Sequence, residues 1–251
     1  MPPSSGPRAD WAPPSTAPRP SVVIRGEPLS SWLDWSTPCL PIDGSDPAGS
    51  SSPSWPAWPG PAEPATSDPL PDLVGRIIAV HDLLDSLGVA HQFGGAIALA
   101  WYRNPRATTD IDLNITLAPA DAAPVLTALV RLGVTVEASH RAAIERDGQA
   151  RLDWSGTYLD LFFATLDLHH RMAEWARSVP LGPAMIPILA PEHLMVCKAI
   201  FDRPKDWVDI EAMVSWETAV DVDEVIGWLD QILGPDSAVR TRLVSVLRAP
   251  A

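Results

Sequence analysis

Eighteen of the 28 prolines fall before Asp72, with Ser, Ala and Gly filling most of the space between them. Proline fixes φ and removes a backbone donor, so such a stretch builds neither helices nor sheet ladders. This break confines the foldable part to one domain, residues 71–251, preceded by a Pro/Ser/Ala-rich disordered extension, residues 1–70. Some 180 residues are ample for a single core. Trp11, Trp32, Trp35, Trp55 and Trp58 lie in the extension. They read either as docking anchors or as incidental residues of a proline-rich leader, including one that precedes the true start codon. Ser21–Ile24 is a candidate edge strand.

Beyond the break the apolar residues acquire a period. Leu73, Ile77, Val80, Leu84 and Leu87 recur at helical spacing, and Gly88 stops them. Val89–Phe93 reads as a strand running into Gly94-Gly95 and a helical stretch over Ala96–Tyr102. Asp110–Leu117 alternates, with Ile111, Leu113, Ile115 and Leu117 on one face. A helix over Ala122–Leu132 and a strand over Val134–Glu137 follow. Gln149–Trp154 and Tyr158–Ala164 are strands joined by Ser155-Gly156-Thr157, a hairpin signal. The remainder reads as mostly helical: Leu168–Arg177, Pro191–Phe201, Trp207–Trp216, Val222–Leu233 and Ala238–Leu247. The expected fold class is α/β (α+β), a mixed sheet flanked by helices with further helices at the C-terminal end.

The net charge of −13 excludes a general nucleic-acid binder, which holds phosphates with clustered Lys and Arg. Cys39 and Cys197 read as free thiols of a reducing compartment. Neither a signal peptide nor a bilayer-spanning run is evident, so the expected location is the cytoplasm, with no membrane partner.

Asp110 and Asp112 are the informative pair. Residues i and i+2 of a strand share a face, so two like charges are held side by side. Alone, a D-x-D pair is most often a solvated strand face. A divalent cation with oxygen preference would remove the conflict, and Mg²⁺ commonly takes one or two carboxylates together with phosphate oxygens. Three neighbours favour the cation. Gly94-Gly95 lies between a strand and a helix, where backbone N–H groups can approach an anion. Arg106 and Thr108 precede Asp110 and suit phosphate contacts. Asp160 stands in the apolar run Tyr158–Phe163, where a carboxylate is costly unless paired or metal-bound. Asp153, on the neighbouring strand, competes for the same role.

Phe93-Gly94-Gly95-Ala96 followed by Arg106-Ala107-Thr108-Thr109-Asp110-Ile111-Asp112-Leu113 resembles the signature of the DNA polymerase β-type nucleotidyltransferase superfamily. The resemblance spans about residues 73–215. It implies the nucleotidyltransferase fold, Mg²⁺ (or Mn²⁺) held by Asp110, Asp112 and Asp160, and a nucleoside triphosphate cradled by Gly94 and Gly95. Many active members carry Gly-Ser, so Gly95 lacks a hydroxyl that they have. A second block, Pro191–Lys198 leading into Arg203-Pro204-Lys205-Asp206-Trp207-Val208-Asp209-Ile210, is similar to one in the AbiEii/AbiGii toxin-like bacterial nucleotidyltransferases. It implies a catalytic, nucleotide-binding role for Lys198, with Asp206 and Asp209 in support. Lys198 and Lys205 are the chain's only lysines, which independently marks both as candidate phosphate groups. Lys198 also shares a helical face with Leu194 and Phe201, the pattern of a residue at the core edge. His91 reads chiefly as a hydrogen-bonded strand-end histidine.

The function these readings imply is metal-dependent transfer of a nucleoside monophosphate from a triphosphate to a hydroxyl on RNA, protein or a small molecule. A toxin-like member would have an antitoxin as its partner. The alternative is a catalytically inactive nucleotide-binding or interaction module of the same fold.

Overall fold

The computed structural model describes residues 72–216 and 218–248. The proline-rich extension with its tryptophans, Cys39 and the candidate strand Ser21–Ile24 lie outside these residues.

The chain opens with helix α1, Leu73–Ser86, whose N-cap Asp72 accepts a hydrogen bond from the Gly75 N–H. Strand β1, His91–Phe93, then leads through Gly94 into the short helix α2, Gly95–Leu99. Strand β2 is Asp110–Ile115, and α3 is Ala123–Arg131. Helix α4, Ala138–Asp147, precedes the hairpin of β3, Gln149–Trp154, and β4, Thr157–Phe163. Helix α5, Asp167–Glu174, precedes a second hairpin, β5, Arg177–Leu181, and β6, Ala184–Ile188. Four helices close the chain: α6, Pro191–Phe201; α7, Pro204–Ser215; α8, Val222–Leu233; and α9, Ala238–Leu247. Pro191 and Pro204 stand in the first turns of α6 and α7, where the missing N–H has no intrahelical partner to lose.

Among the described residues, six strands form one sheet in the order β3-β4-β2-β1-β6-β5. β2 runs parallel to β4 and β1 parallel to β6, while the other neighbours are antiparallel. This is the expected mixed sheet flanked by helices. Ile111, Leu113 and Ile115 of β2 line one face with Leu159, Leu161 and Phe163 of β4, all essentially inaccessible. Each such side chain contributes about 1.5–3 kcal/mol of burial free energy.

Two elements depart from the sequence expectation. Val134–Glu137 is not a strand: only an isolated bridge, Thr135 to Asp153, forms there. The chain turns instead into α4, where Glu137 and His140 form a reciprocal capping box. Arg177, expected to end a helix, instead opens β5, and the unassigned stretch before α6 forms the β5–β6 hairpin that builds one edge of the sheet.

No helix among the described residues is long and apolar enough to cross a membrane.

Candidate active site

The parallel register of β2 and β4 sets Tyr158 beside Asp110 and Asp160 beside Asp112. Side chains two apart on a strand share a face, so Asp110, Asp112 and Asp160 project from the same side, opposite the apolar face of the two strands. β1 ends at Phe93, paired with Leu113, and the Gly94 N–H then donates to the Asp112 carbonyl at 2.9 Å. The Gly-Gly turn is therefore tied directly to the aspartate strand.

Gly95 has φ +51°, a left-handed conformation that favours glycine. A Cβ built there would lie 1.7 Å from Asp112 Oδ2 and 2.4 Å from its Cγ. Only glycine leaves Asp112 where it is. The departure from Gly-Ser noted in the sequence thus has a local cause: the carboxylate of Asp112 takes the space.

The crowding shows in the acid–base properties. Asp112 is raised above the ordinary carboxylate range, chiefly by burial among protein atoms. The Lys198 charge acts against the rise, and the Asp110 charge adds to it. Asp160 is pushed up to about 6, again by burial first and then by the charge of Asp112, with Arg151 opposing. The Arg151 guanidinium reaches both outer carboxylates: Nη2 is 3.0 Å from Asp110 Oδ2, and Nε is 3.0 Å from Asp160 Oδ1. The second contact is an ion pair without the alignment of a hydrogen bond.

Lys198 anchors an adjoining cluster. It lies on α6, almost fully buried, with Nζ 2.7 Å from Asp209 Oδ2 and 3.6 Å from Asp206 Oδ1 on α7. Arg103 Nη1 also meets Asp209, at 2.9 Å, and Arg106 Nη2 lies 3.4 Å from it. Arg203 pairs with Asp206 at 2.6 Å. The two clusters communicate, because the charges of Lys198 and Arg203 both act on Asp112.

The sequence-derived candidates thus fall into two groups. Asp110, Asp112 and Asp160 are brought together beside Gly94 and Gly95. Lys198, Asp206, Asp209 and Arg106 meet in the adjoining cluster. Thr108 acts locally, its Oγ accepting from the Asp110 N–H at 3.1 Å and so shaping the entry to β2. Lys205 is exposed on α7 and has no ion pair among the described residues. Asp153 shares the sheet face but accepts from the Gly156 N–H in the hairpin turn, at 3.3 Å. His91 lies away from the aspartates, paired with Ile115, and its Nδ1–H donates to the Val89 carbonyl while Nε2 faces His81 Nδ1 at 3.0 Å. Cys197 has a thiol pushed up to about 12 by burial, which makes it a poor nucleophile.

Arg151 and Arg103 escaped the sequence reading, and Arg203 stood in the second block without an assigned role. Arg151 was reachable by counting. A two-residue turn at Ser155-Gly156 pairs Trp154 with Thr157, and three further steps pair Arg151 with Asp160. Positive φ at both turn residues, 49° and 83°, is the conformation of a tight hairpin.

Among the described residues no group of three or more His, Cys, Asp or Glu side chains forms a preassembled metal cage. The donor set nonetheless suits a hard divalent cation. Its three carboxylates are all oxygen donors, two of them hold their protons unusually tightly, and a cationic side chain is already drawn to two of the three.

No protein-family model and no curated protein matches the sequence. Among solved structures, the chain is similar to the antibiotic-resistance factor ANT(2'')-Ia, at 16% identity over 69% of this chain and 94% of that one, with a TM-score of 0.43. It is also similar to an antigenic nucleotidyltransferase-like protein from Paracoccidioides brasiliensis, at 14% identity over 70% and 92% of the two chains, TM-score 0.38. A tRNA nucleotidyltransferase in complex with a primer tRNA and an ATP analog aligns at 12% identity over 67% and 59%, TM-score 0.25. Likeness at these levels says nothing about the reaction of the present chain.

Proposed function

We propose that residues 71–251 form a nucleotidyltransferase of the DNA polymerase β type, which moves a nucleoside monophosphate from a nucleoside triphosphate to a hydroxyl acceptor. The observation that carries this reading is the junction of Gly95 with Asp112: a glycine turn with no room for a side chain, set against three carboxylates on adjacent parallel strands.

In this reading Asp110, Asp112 and Asp160 hold Mg²⁺ or Mn²⁺. The ion would neutralise the triphosphate and make the acceptor hydroxyl more acidic. Gly94 and Gly95 let the backbone approach the β- and γ-phosphates closely. The charge of Lys198 acts against the rise that burial imposes on Asp112, while Asp206 and Asp209 hold the ammonium in place. Arg106, the more exposed of the two arginines on Asp209, is the one free to reach a phosphate. Lys205, exposed on α7, could meet the nucleotide only from the rim. In this reading Asp160 also assists in taking the proton from the acceptor hydroxyl. The acceptor oxygen forms a bond to the α-phosphorus as the bond to the pyrophosphate oxygen breaks, and pyrophosphate leaves.

The acceptor class is RNA, protein or a small hydroxylated molecule, and a toxin-like role with an antitoxin partner belongs to the same reading. Pyrophosphate release in the presence of each acceptor class tests it. Wild type should release pyrophosphate only with a divalent ion, and Asp110→Ala should not release it. Nucleotide binding without turnover under every condition would favour the inactive module instead.

A further inference from the structure

Arg151 has two acidic partners on two different strands, and both are carboxylates of the candidate catalytic trio. It stands on β3, the sheet's edge strand, opposite Asp160 in register, and reaches past β4 to Asp110 on β2. One guanidinium therefore offers Nε to Asp160 and Nη2 to Asp110, each at 3.0 Å. Its flat face rests over the Tyr158 ring, 4.7 Å from the centroid. The Arg151 and Asp110 side chains are both more than a third exposed, at 39% and 38%. The Arg151–Asp110 pair, at that exposure, costs little to break; Asp160 is the more buried partner, at 12%.

A guanidinium and a divalent ion compete for the same carboxylate oxygens. A metal arriving alone must displace Arg151 and leave it without a counter-charge over Tyr158. A metal arriving with a triphosphate brings an anion that suits a guanidinium fork at least as well as a carboxylate does.

We propose that Arg151 is an exchangeable counter-cation: it occupies Asp110 and Asp160 in the nucleotide-free protein and transfers to the phosphates when metal and triphosphate enter together. This inference rests on the nucleotidyltransferase reading. It makes Arg151 a positioning residue that couples metal binding to nucleotide binding, so that the free enzyme takes up the metal–nucleotide complex rather than the bare ion. Tyr158 supplies the aromatic surface on which the guanidinium slides between its two anionic partners.

Coupling of this kind is reciprocal and typically amounts to ~5–150-fold. Mn²⁺ binding, followed by the loss of the free-ion paramagnetic resonance signal, reads it without turnover. It should be measured for wild type, Arg151→Gln, Arg151→Lys and Asp112→Asn, each with and without a non-hydrolysable triphosphate analogue. Arg151→Gln should bind Mn²⁺ alone about tenfold more tightly than wild type, and the analogue should strengthen its Mn²⁺ binding by a smaller factor. Arg151→Lys, which keeps the charge but not the fork, should fall between the two. Equal Mn²⁺ affinities in wild type and Arg151→Gln, with an unchanged effect of the analogue, would overturn the proposal and leave Arg151 a structural ion pair. The nucleotidyltransferase reading would survive that result provided Asp112→Asn loses Mn²⁺–analogue binding. Wild type that binds no Mn²⁺–analogue complex would overturn both.

Discussion

A methyl group at position 95 would meet Asp112 Oδ2 at 1.7 Å, Cγ at 2.4 Å and Cβ at 3.0 Å. All three atoms belong to one side chain, so rotating the carboxylate tip does not relieve the contact, and the whole side chain must turn. Gly95→Ala also places a Cβ at φ +51°, which costs about 1–2 kcal/mol. The backbone cost alone lowers stability by about 1–2 kcal/mol, a fall in Tm of roughly 2–8 °C for a domain of this size, and turning Asp112 adds to it. The functional loss should be far larger. Asp112 would leave its place beside Asp160, and a misplacement of about 1 Å in a catalytic group can cost about 100-fold. Gly95→Ser should behave in the same way, although Ser is common at this position in the superfamily that the motif resembles. The assay pairs thermal unfolding with transfer of label from an α-labelled triphosphate. A Gly95→Ser variant that folds and transfers label at or above the wild-type rate would refute the reasoning, since Asp112 would then have room that the geometry denies it.

Lys198→Met should cost about 3 kcal/mol in denaturant unfolding, because it removes the ammonium held between two buried carboxylates. Arg103 and Arg203 compensate only in part, and a variant as stable as wild type would contradict the pairing. Glu224 gives a pH test away from the site. Burial raises its carboxyl, but hydrogen bonds from Arg171, Trp228 and His193 outweigh burial and hold it down at about 2, against an ordinary 4.5. A depressed acid stabilises the fold above its unfolded pKa, and that contribution is lost as pH falls from about 4.5 toward 2. Glu224→Gln should therefore lose about 2 kcal/mol at pH 7, after allowance for solvent screening, and show a flatter acid limb in a pH series of unfolding midpoints.

The candidate site was legible in the sequence where its residues sit on strands of strict alternation. Asp110 and Asp112 interrupt the apolar side of nothing: Ile111 and Leu113 fall on the opposite face, and Asp160 takes the matching place between Leu159 and Leu161. The Lys198 block was legible through resemblance and through the scarcity of lysine elsewhere, because buried charged residues on α6 and α7 carry no periodic signal of their own. Arg151 was hidden by its position on an edge strand, where a charged residue is unremarkable until the hairpin register is counted. Helix α4 was hidden for a different reason. Its sequence is mostly Ala, polar and charged residues, with Ile144 as its one buried side chain, so no apolar stripe announces it. In the β5–β6 hairpin, Pro180 and Pro187 argue against strands in a sequence. The fold tolerates them because β5 is an edge and β6 meets β1 only at Ile188.

A double-label experiment tests the central claim most directly. Wild-type protein, Mg²⁺ or Mn²⁺, and each nucleoside triphosphate labelled at either the α- or the γ-phosphorus should be incubated with total RNA, total protein and small hydroxylated metabolites in turn. Nucleotidyl transfer predicts that α-label enters one acceptor fraction while an equal amount of γ-label leaves as pyrophosphate, and that Asp110→Ala abolishes both. Entry of γ-label into the acceptor, or α-label that stays in the triphosphate in every fraction, would contradict the account.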